Sequence, residues 1–358
     1  MTNSSKRSTP LLLALVATLA LIAAACGSSD SAGEAGVTAD FNVGLTYDIG
    51  GRGDQSFNDS AAAGLDKAVA ELGVSATEVE PNPDGSNRAE LLRTQADASA
   101  LVVAVGFLFE ADVKAVAAEY PDVNFAVVDS AMLDFENDAV PFGDNIAGLT
   151  FAEEEGSFLV GAAAALKSTT GKVGFIGGVG GFGLIEKFEA GFAAGVHAVD
   201  PNIEIVSQYI TMAPDFAGFS AADRAQEIAL EMYGQGADVI YHAAGGSGAG
   251  LFEAAKTQSA SGTKVWAIGV DSDQYLTASP EVQEFILTSM LKRVDVSVFE
   301  VTKAQADGTF EAGNTVYDLS VDGVGYSTSG GNIDDIVDQL EDFKAQIIAG
   351  DIEVPTVP

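Results

Sequence analysis

The chain has 358 residues, 47% of them hydrophobic, with 17 Lys and Arg against 52 Asp and Glu and a formal charge of -35 at pH 7. Length and apolar content suffice for a real core in one large domain or two ordinary ones, so the charge is not that of a disordered chain. It excludes a nucleic-acid binder, which needs a basic surface to displace counterions from phosphate. Two His and one Cys supply no zinc set and no intrachain disulfide, and neither a metal nor a cofactor is expected.

The first 25 residues carry no acid, and Lys6 and Arg7 precede an apolar run over 11–25 that leads into Cys26. That is the layout of a secretory signal. The stretch Leu21-Ile22-Ala23-Ala24-Ala25-Cys26-Gly27 resembles a bacterial lipobox, which implies cleavage before Cys26 and lipidation of its thiol. A transmembrane anchor is the competing reading, but the run is shorter than the ~20 residues a spanning helix needs. Residues 26–39, mostly Gly, Ser, Ala, Asp and Glu, bury little and read as a lipid-anchored flexible tether. The expectation is a signal peptide over 1–25 and a folded part beginning near Phe41, held at the outer face of the cell membrane.

From Phe41 onward short apolar runs alternate with amphipathic stretches. Residues 41–47 read as a strand and 56–72 as a helix; strands at 101–105 and 125–128 flank a helix at 111–120. The pattern resumes with a strand at 172–176 and a helix at 184–199, then 204–209 and 221–235, 239–241 and 248–259, and a strand at 265–270. Such alternation predicts βαβ units and parallel sheets covered on both faces. About eleven strands are too many for one compact sheet, and the loop over 134–145 separates two lobes. Beyond Asp271 follow a strand at 285–291, a helix at 294–306, a β-rich stretch through Tyr326 and a final helix at 332–349.

In doubly wound sheets ligands bind beyond the carboxyl ends of the strands. Those ends carry Asp48, Gly106 and Phe107, Asp129, Gly245 and Asp271. The alternative for each Asp is a helix N-cap, which accounts for any one of them better than for the set.

Several motifs fail on their surroundings. The glycines over 178–183 match a dinucleotide fingerprint, but no acid ends the next strand to hold a ribose diol, so they read as a turn of close backbone approach. Ser247 lies in an incomplete nucleophile motif with no His after it. His197 and His242 read as structural, Arg52-Gly53-Asp54 as a chance adhesion tripeptide, and the acids at Glu153, Glu154 and Glu155 as charge at a helix N-terminus.

Six segments together resemble one family: Asp48-Ile-Gly-Gly-Arg-Gly-Asp-Gln-Ser-Phe57-Asn58, Val127-Val-Asp129-Ser, Phe151-Ala-Glu-Glu-Glu-Gly-Ser-Phe-Leu-Val-Gly161, Asp238-Val-Ile-Tyr-His-Ala-Ala-Gly245, Trp266-Ala-Ile-Gly-Val-Asp271-Ser-Asp-Gln274 and Leu287-Thr-Ser-Met-Leu-Lys292. They are similar to the BMP ("basic membrane protein") substrate-binding lipoproteins of ABC transporters, whose characterised members bind purine nucleosides. The resemblance implies a type I periplasmic-binding-protein fold: two doubly wound parallel-sheet α/β lobes joined by a hinge, about 40–147 plus 272–303 and about 148–271 plus 304–358. It implies that Phe57 and Phe219 sandwich the purine, that Asp129 bonds its edge and that Asp271 holds the ribose. Asp48, Asn58, Gly245 and Lys292 complete the polar shell. The expected function is that of a monomeric receptor delivering a nucleoside to an ABC permease, with no covalent chemistry. The alternatives are a receptor for a sugar or another small polar ligand on the same fold, and a nucleoside hydrolase, whose expected N-terminal cluster of Asp is missing from the sequence.

Overall fold

Side chains of successive strand residues point to opposite faces of a sheet, so a strand covered on both sides reads as an unbroken apolar run. In the run 101–105, Leu101, Val103 and Val105 enter one hydrophobic cluster while Val102 and Ala104 enter another. The computed structural model describes residues 40–358; the expected signal peptide, Cys26 and the tether lie outside the described residues. No helix among the described residues is long and apolar enough to cross a membrane.

The chain begins with β1 (Asn42–Thr46), α1 (Phe57–Leu72), β2 (Ser75–Val79), α2 (Arg88–Ala96), β3 (Leu101–Ala104), α3 (Glu110–Ala117) and β4 (Asn124–Val128). A small hairpin, β5 (Leu133–Asp134) and β6 (Val140–Pro141), precedes β7 (Ile146–Phe151). The next stretch runs α4 (Glu153–Lys167), β8 (Lys172–Gly180), α5 (Leu184–Val199), β9 (Glu204–Met212), α6 (Ala222–Gly234), β10 (Val239–Ala243), α7 (Gly248–Ser259) and β11 (Trp266–Asp271). Two short helices, α8 (Gln274–Thr277) and α9 (Pro280–Gln283), lead to β12 (Ile286–Lys292), α10 (Val294–Asp307), β13 (Gly313–Tyr317), β14 (Val324–Tyr326) and α11 (Val337–Ile348).

Two six-stranded sheets result, ordered β13-β7-β4-β3-β1-β2 and β14-β12-β11-β10-β8-β9. Every pairing within them is parallel except that of β12 with β14. This is the two-lobed α/β architecture of type I periplasmic binding proteins. Three crossovers join the lobes: β7 into α4, β12 into α10, and β13 towards β14. Backbone bonds tie them together, Ala152 N to Tyr317 O at 3.0 Å and Arg293 N to Gly323 O at 2.9 Å.

The crossovers fall elsewhere than the boundaries expected at 147, 271 and 303. β12, expected in lobe 1, pairs with β11 in the second sheet, and β13, expected in lobe 2, pairs with β7 in the first. β12 shows no linker composition because it stays buried as it leads into the crossover, and β13, largely polar and exposed, carries too little apolar signal to be assigned to a sheet from sequence. The edge strand β2 was also unforeseen: its residues are mostly exposed and polar, so no apolar run announces it.

In lobe 2, α4 and α5 pack with their backbones nearly touching. A Cβ added at Gly161, Gly191 or Gly195 would lie 2.2, 2.1 or 1.9 Å from a carbonyl oxygen of the facing helix. Gly195→Ala is therefore expected to lower stability by about 1–3 kcal/mol in urea unfolding. Gly234→Ala, at an open helix end, should be neutral or stabilising by up to about 1 kcal/mol; equal losses in both variants would contradict the close packing.

Candidate functional site

The carboxyl ends of the strands in both sheets face each other across one cleft, whose empty space, solvent mouth included, is about 590 Å³. Asp48, Phe57, Asn58, Asp129, Phe219, Gly245, Asp271 and Lys292, the eight residues expected to form a ligand site, all line it. They come from β1, α1 and β4 of lobe 1 and from β9, β10, β11 and β12 or the turns after them in lobe 2.

Two of the carboxylates hold matching positions. Asp129 follows β4 and Asp271 ends β11, and each adopts a left-handed backbone, φ 66° and 63°. That conformation is costly for a residue with a Cβ, on the order of 1 kcal/mol or more. Neither caps a helix. Asp271 Oδ2 accepts from Ser56 Oγ of lobe 1 at 2.5 Å; Asp48 Oδ1 accepts from the neighbouring Ile49 amide at 2.8 Å. The capping role belongs instead to Asp54, whose carboxylate accepts from the amides of Ser56, Asn58 and Asp59 at the start of α1. This also explains the adhesion-like tripeptide: Asp54 serves α1, and Arg52 is paired with Asp66 and Glu78.

Lys292, at the end of β12, is 2% exposed. Its Nζ lies 2.7 Å from Asp129 Oδ1 and 2.8 Å from Oδ2, donating its hydrogen bond to Oδ2, and 3.2 Å from Glu153 Oε1. Glu153, 1% exposed, also receives Lys187 at 3.3 Å. The expected stretch of charge at a helix N-terminus thus includes one acid with a specific partner. Asp129 Oδ1 is left a buried acceptor without a hydrogen bond, an arrangement native proteins rarely leave unused.

Burial raises the carboxyls. Asp48 is pushed up to about 6 by burial, opposed by the Ile49 amide and by Arg88, 3.8 Å away, with Asp129 and Asp54 adding to the rise. Asp129 is pushed up to about 6 by burial, with Lys292 opposing and Glu153 adding. Asp271 reaches about 7 through burial, with Lys292 and Ser56 opposing and Asp54 and Asp129 adding. Burial alone would lower Lys292, but Asp129, Glu153 and Asp271 outweigh it and hold the amine protonated.

The apolar walls come from Phe57, Phe107, Leu184, Ile185, Phe188 and Phe219. The Phe57 ring centroid is 5.1 Å from Lys292 Nζ. The Phe219 ring lies over Gly178, where a Cβ would come within 2.6 Å of it; the glycine-rich turn thus permits close approach of a side chain. Ser247 is fully buried, donating to Gly218 O and accepting from Ala221 N, so it serves the fold. His242 is buried against Gln274 Oε1 at 2.9 Å and lowered to about 4 by that burial. Sequence reasoning missed Ser56, Phe107, Glu153 and Gln274. Ser56 and Gln274 stand inside the motif segments, and Phe107 stands at a strand end already marked, so position was the available signal.

A two-lobed α/β protein with a polar and aromatic cleft at its strand ends has the form of a solute-binding receptor. The family described as "ABC transporter substrate-binding protein PnrA-like" (Bmp) matches residues 41–357, and the chain belongs to it. Among curated relatives it is 38% identical to a "CD4+ T-cell-stimulating antigen" of Listeria innocua over 99% of each chain. It is 34% identical to the "ABC transporter nucleoside-binding protein BmpA" of Lactococcus lactis over 97% of each. A solved solute-binding protein of an ABC transporter system from Aeropyrum pernix superposes with a TM-score of 0.76 at 28% identity, covering 88% of this chain and 93% of that one.

Two outcomes follow from the site's electrostatics. Lys292→Met leaves Asp129 and Glu153 as buried carboxylates without their shared cation and should cost about 3–5 kcal/mol in urea unfolding at neutral pH; a loss under about 1 kcal/mol would contradict the pairing. Asp48, Asp129 and Asp271 titrate higher in the folded chain than in the unfolded one, so the folded chain binds more protons between about pH 4 and 7. Their destabilisation is fully present above that window and fades as pH falls through it. Unfolding midpoints of Asp271→Asn should therefore gain less than the parent's on acidification from about pH 8 to 5.5; an equal gain would place the Asp271 titration elsewhere.

Proposed function

We propose that the cleft takes up a purine nucleoside and delivers it to the permease of an ABC importer, with the receptor acting as a single copy of the chain anchored at the outer face of the cell membrane through lipid on Cys26. The observation that carries this reading is the composition of the cleft: Phe rings that include Phe57 and Phe219, the four carboxylates of Asp48, Asp54, Asp129 and Asp271, and one Lys, the single cation among the described lining residues, already neutralised by Asp129 and Glu153. Aromatic faces suit a flat base, each stack contributing about 0.5–1.5 kcal/mol beyond burial. A carboxylate accepts from both hydroxyls of a vicinal diol, the role assigned to Asp271, and Asp129 Oδ1, ion-paired with Lys292 at 2.7 Å but without a hydrogen bond, has a lone pair for an N–H on the base edge. Hydrogen bonds to charged acceptors contribute about 1.5–3 kcal/mol each, enough with stacking for micromolar binding, near -8 kcal/mol. The nucleoside-binding relative in Lactococcus lactis supports the ligand class.

Neutral ligand suits this site and phosphate does not, since no unpaired cation among the described lining residues faces the carboxylates. Closure around the ligand gives the permease one shape to recognise. Mass spectrometry of small molecules released from protein purified without refolding should find a purine nucleoside, and calorimetry on Asp271→Asn should show at least about tenfold weaker inosine binding, the share of one charge-assisted bond. A released hexose or amino acid would overturn the ligand class; unchanged affinity in Asp271→Asn would overturn the ribose role alone.

A further inference from the structure

Outside the eight expected residues, three aromatic rings meet across the lobes at the rim of the cleft. Phe107, after β3 of lobe 1, stacks on Phe182 of lobe 2 with centroids 4.6 Å apart and planes 24° apart. Phe216, after β9 of lobe 2, meets Phe107 edge-on at 5.9 Å and Phe182 edge-on at 5.9 Å. Phe107 also lines the cleft, whereas Phe182 and Phe216 stand behind it, in turns whose flanking residues Gly181, Gly183, Asp215 and Ala217 are exposed. The cluster is therefore the outer wall of the pocket, made half by each lobe.

Both sides are held rigidly. Gly106, with φ 103°, immediately precedes Phe107 and packs against Asp48, where a Cβ would lie 2.3 Å from Asp48 Oδ2. Phe182 stands between Gly181 and Gly183, φ 92° and 94°, and the Glu186 carboxylate accepts from both their amides at 2.5 and 2.9 Å. A ring on a freely moving loop would lose its stacking to disorder; this turn is closed by a carboxylate and presents the ring in place. Opening the lobes separates Phe107 from both partners but leaves the Phe182–Phe216 contact intact, since both belong to lobe 2.

We propose that Phe182 is a positioning residue that sets how long ligand stays bound: it clamps Phe107 over the cleft, and ligand leaves only after this stack has parted. Phe182 is absent from the cleft lining, so its effect falls on the closed state and not on the first encounter, which occurs with the lobes apart. The inference rests on the cleft being the ligand site proposed above. In stopped-flow measurements on the mature chain with inosine, Phe182→Ala should raise the dissociation rate about 2- to 12-fold, the share of one aromatic pair, with the association rate unchanged. Phe216→Ala should act in the same direction and Phe182→Leu, which keeps apolar bulk, by less. Should Phe182→Ala fail to fold by circular dichroism, Phe182→Leu and Phe216→Ala carry the test. Dissociation rates equal to the parent's would overturn the clamp while leaving the nucleoside reading intact. Failure of the parent to bind inosine would overturn that reading instead, and the clamp is then judged on unliganded protein by small-angle scattering: a larger radius of gyration in Phe182→Ala supports it and an unchanged one overturns it.

Discussion

A lysine ammonium buried between carboxylates of two lobes is the constraint around which the cleft is built. Desolvating Lys292 and its partners costs several kcal/mol per ion unless geometry repays it, and here the geometry does: Nζ touches both oxygens of Asp129 from lobe 1 and one of Glu153 at the start of α4. Lys292 and Glu153 each sit at a crossover between the lobes, and Asp129 sits at the end of β4 beside β7, which leads into the first crossover. The pair therefore lies near the axis about which the lobes turn, where rotation moves atoms least. It fixes the hinge side of the cleft while the rim opens and closes.

The same pair decides what the cleft accepts. With the cation consumed internally, the remaining charged side chains of the lining are carboxylates, and burial raises Asp48, Asp129 and Asp271 towards neutral pH. Ligand that donates hydrogen bonds relieves that cost; an anion adds to it. The large acidic surplus of the chain has a different role. Few of its 52 acids reach the cleft, and most serve solubility on the surface. Opposite the hinge, the contacts are apolar or hydrogen-bonded and easily broken: the Phe107–Phe182 stack, Ser56 Oγ on Asp271, and Gln274 Nε2 on the Gln55 carbonyl at 3.0 Å.

Much of this was legible in sequence, for physical reasons. Parallel strands buried on both faces announce themselves as apolar runs, so the alternation and the two lobes could be read, and the strand ends pointed to Asp48, Asp129 and Asp271. What was hidden depends on tertiary context. β2 is a polar edge strand with no apolar signature, and the β12 crossover carries no linker composition because that strand stays buried. Of three consecutive glutamates, only the fold singles out Glu153 as the partner of Lys292. The left-handed backbones of Asp129 and Asp271 have no local signal either, since Asp is common at strand ends for capping reasons, and the capping in fact falls to Asp54.

In the proposed role the closed cleft holds an uncharged ligand between aromatic faces and buried carboxylates. Calorimetric titration of one preparation with inosine, with inosine 5′-monophosphate and with free ribose tests it most directly. Inosine should bind at micromolar concentration or below, near -8 kcal/mol, with the phosphorylated nucleoside and the bare sugar both far weaker. Equal affinity for the monophosphate would contradict the electrostatics of the cleft, and equal affinity for ribose would contradict the part assigned to Phe57 and Phe219.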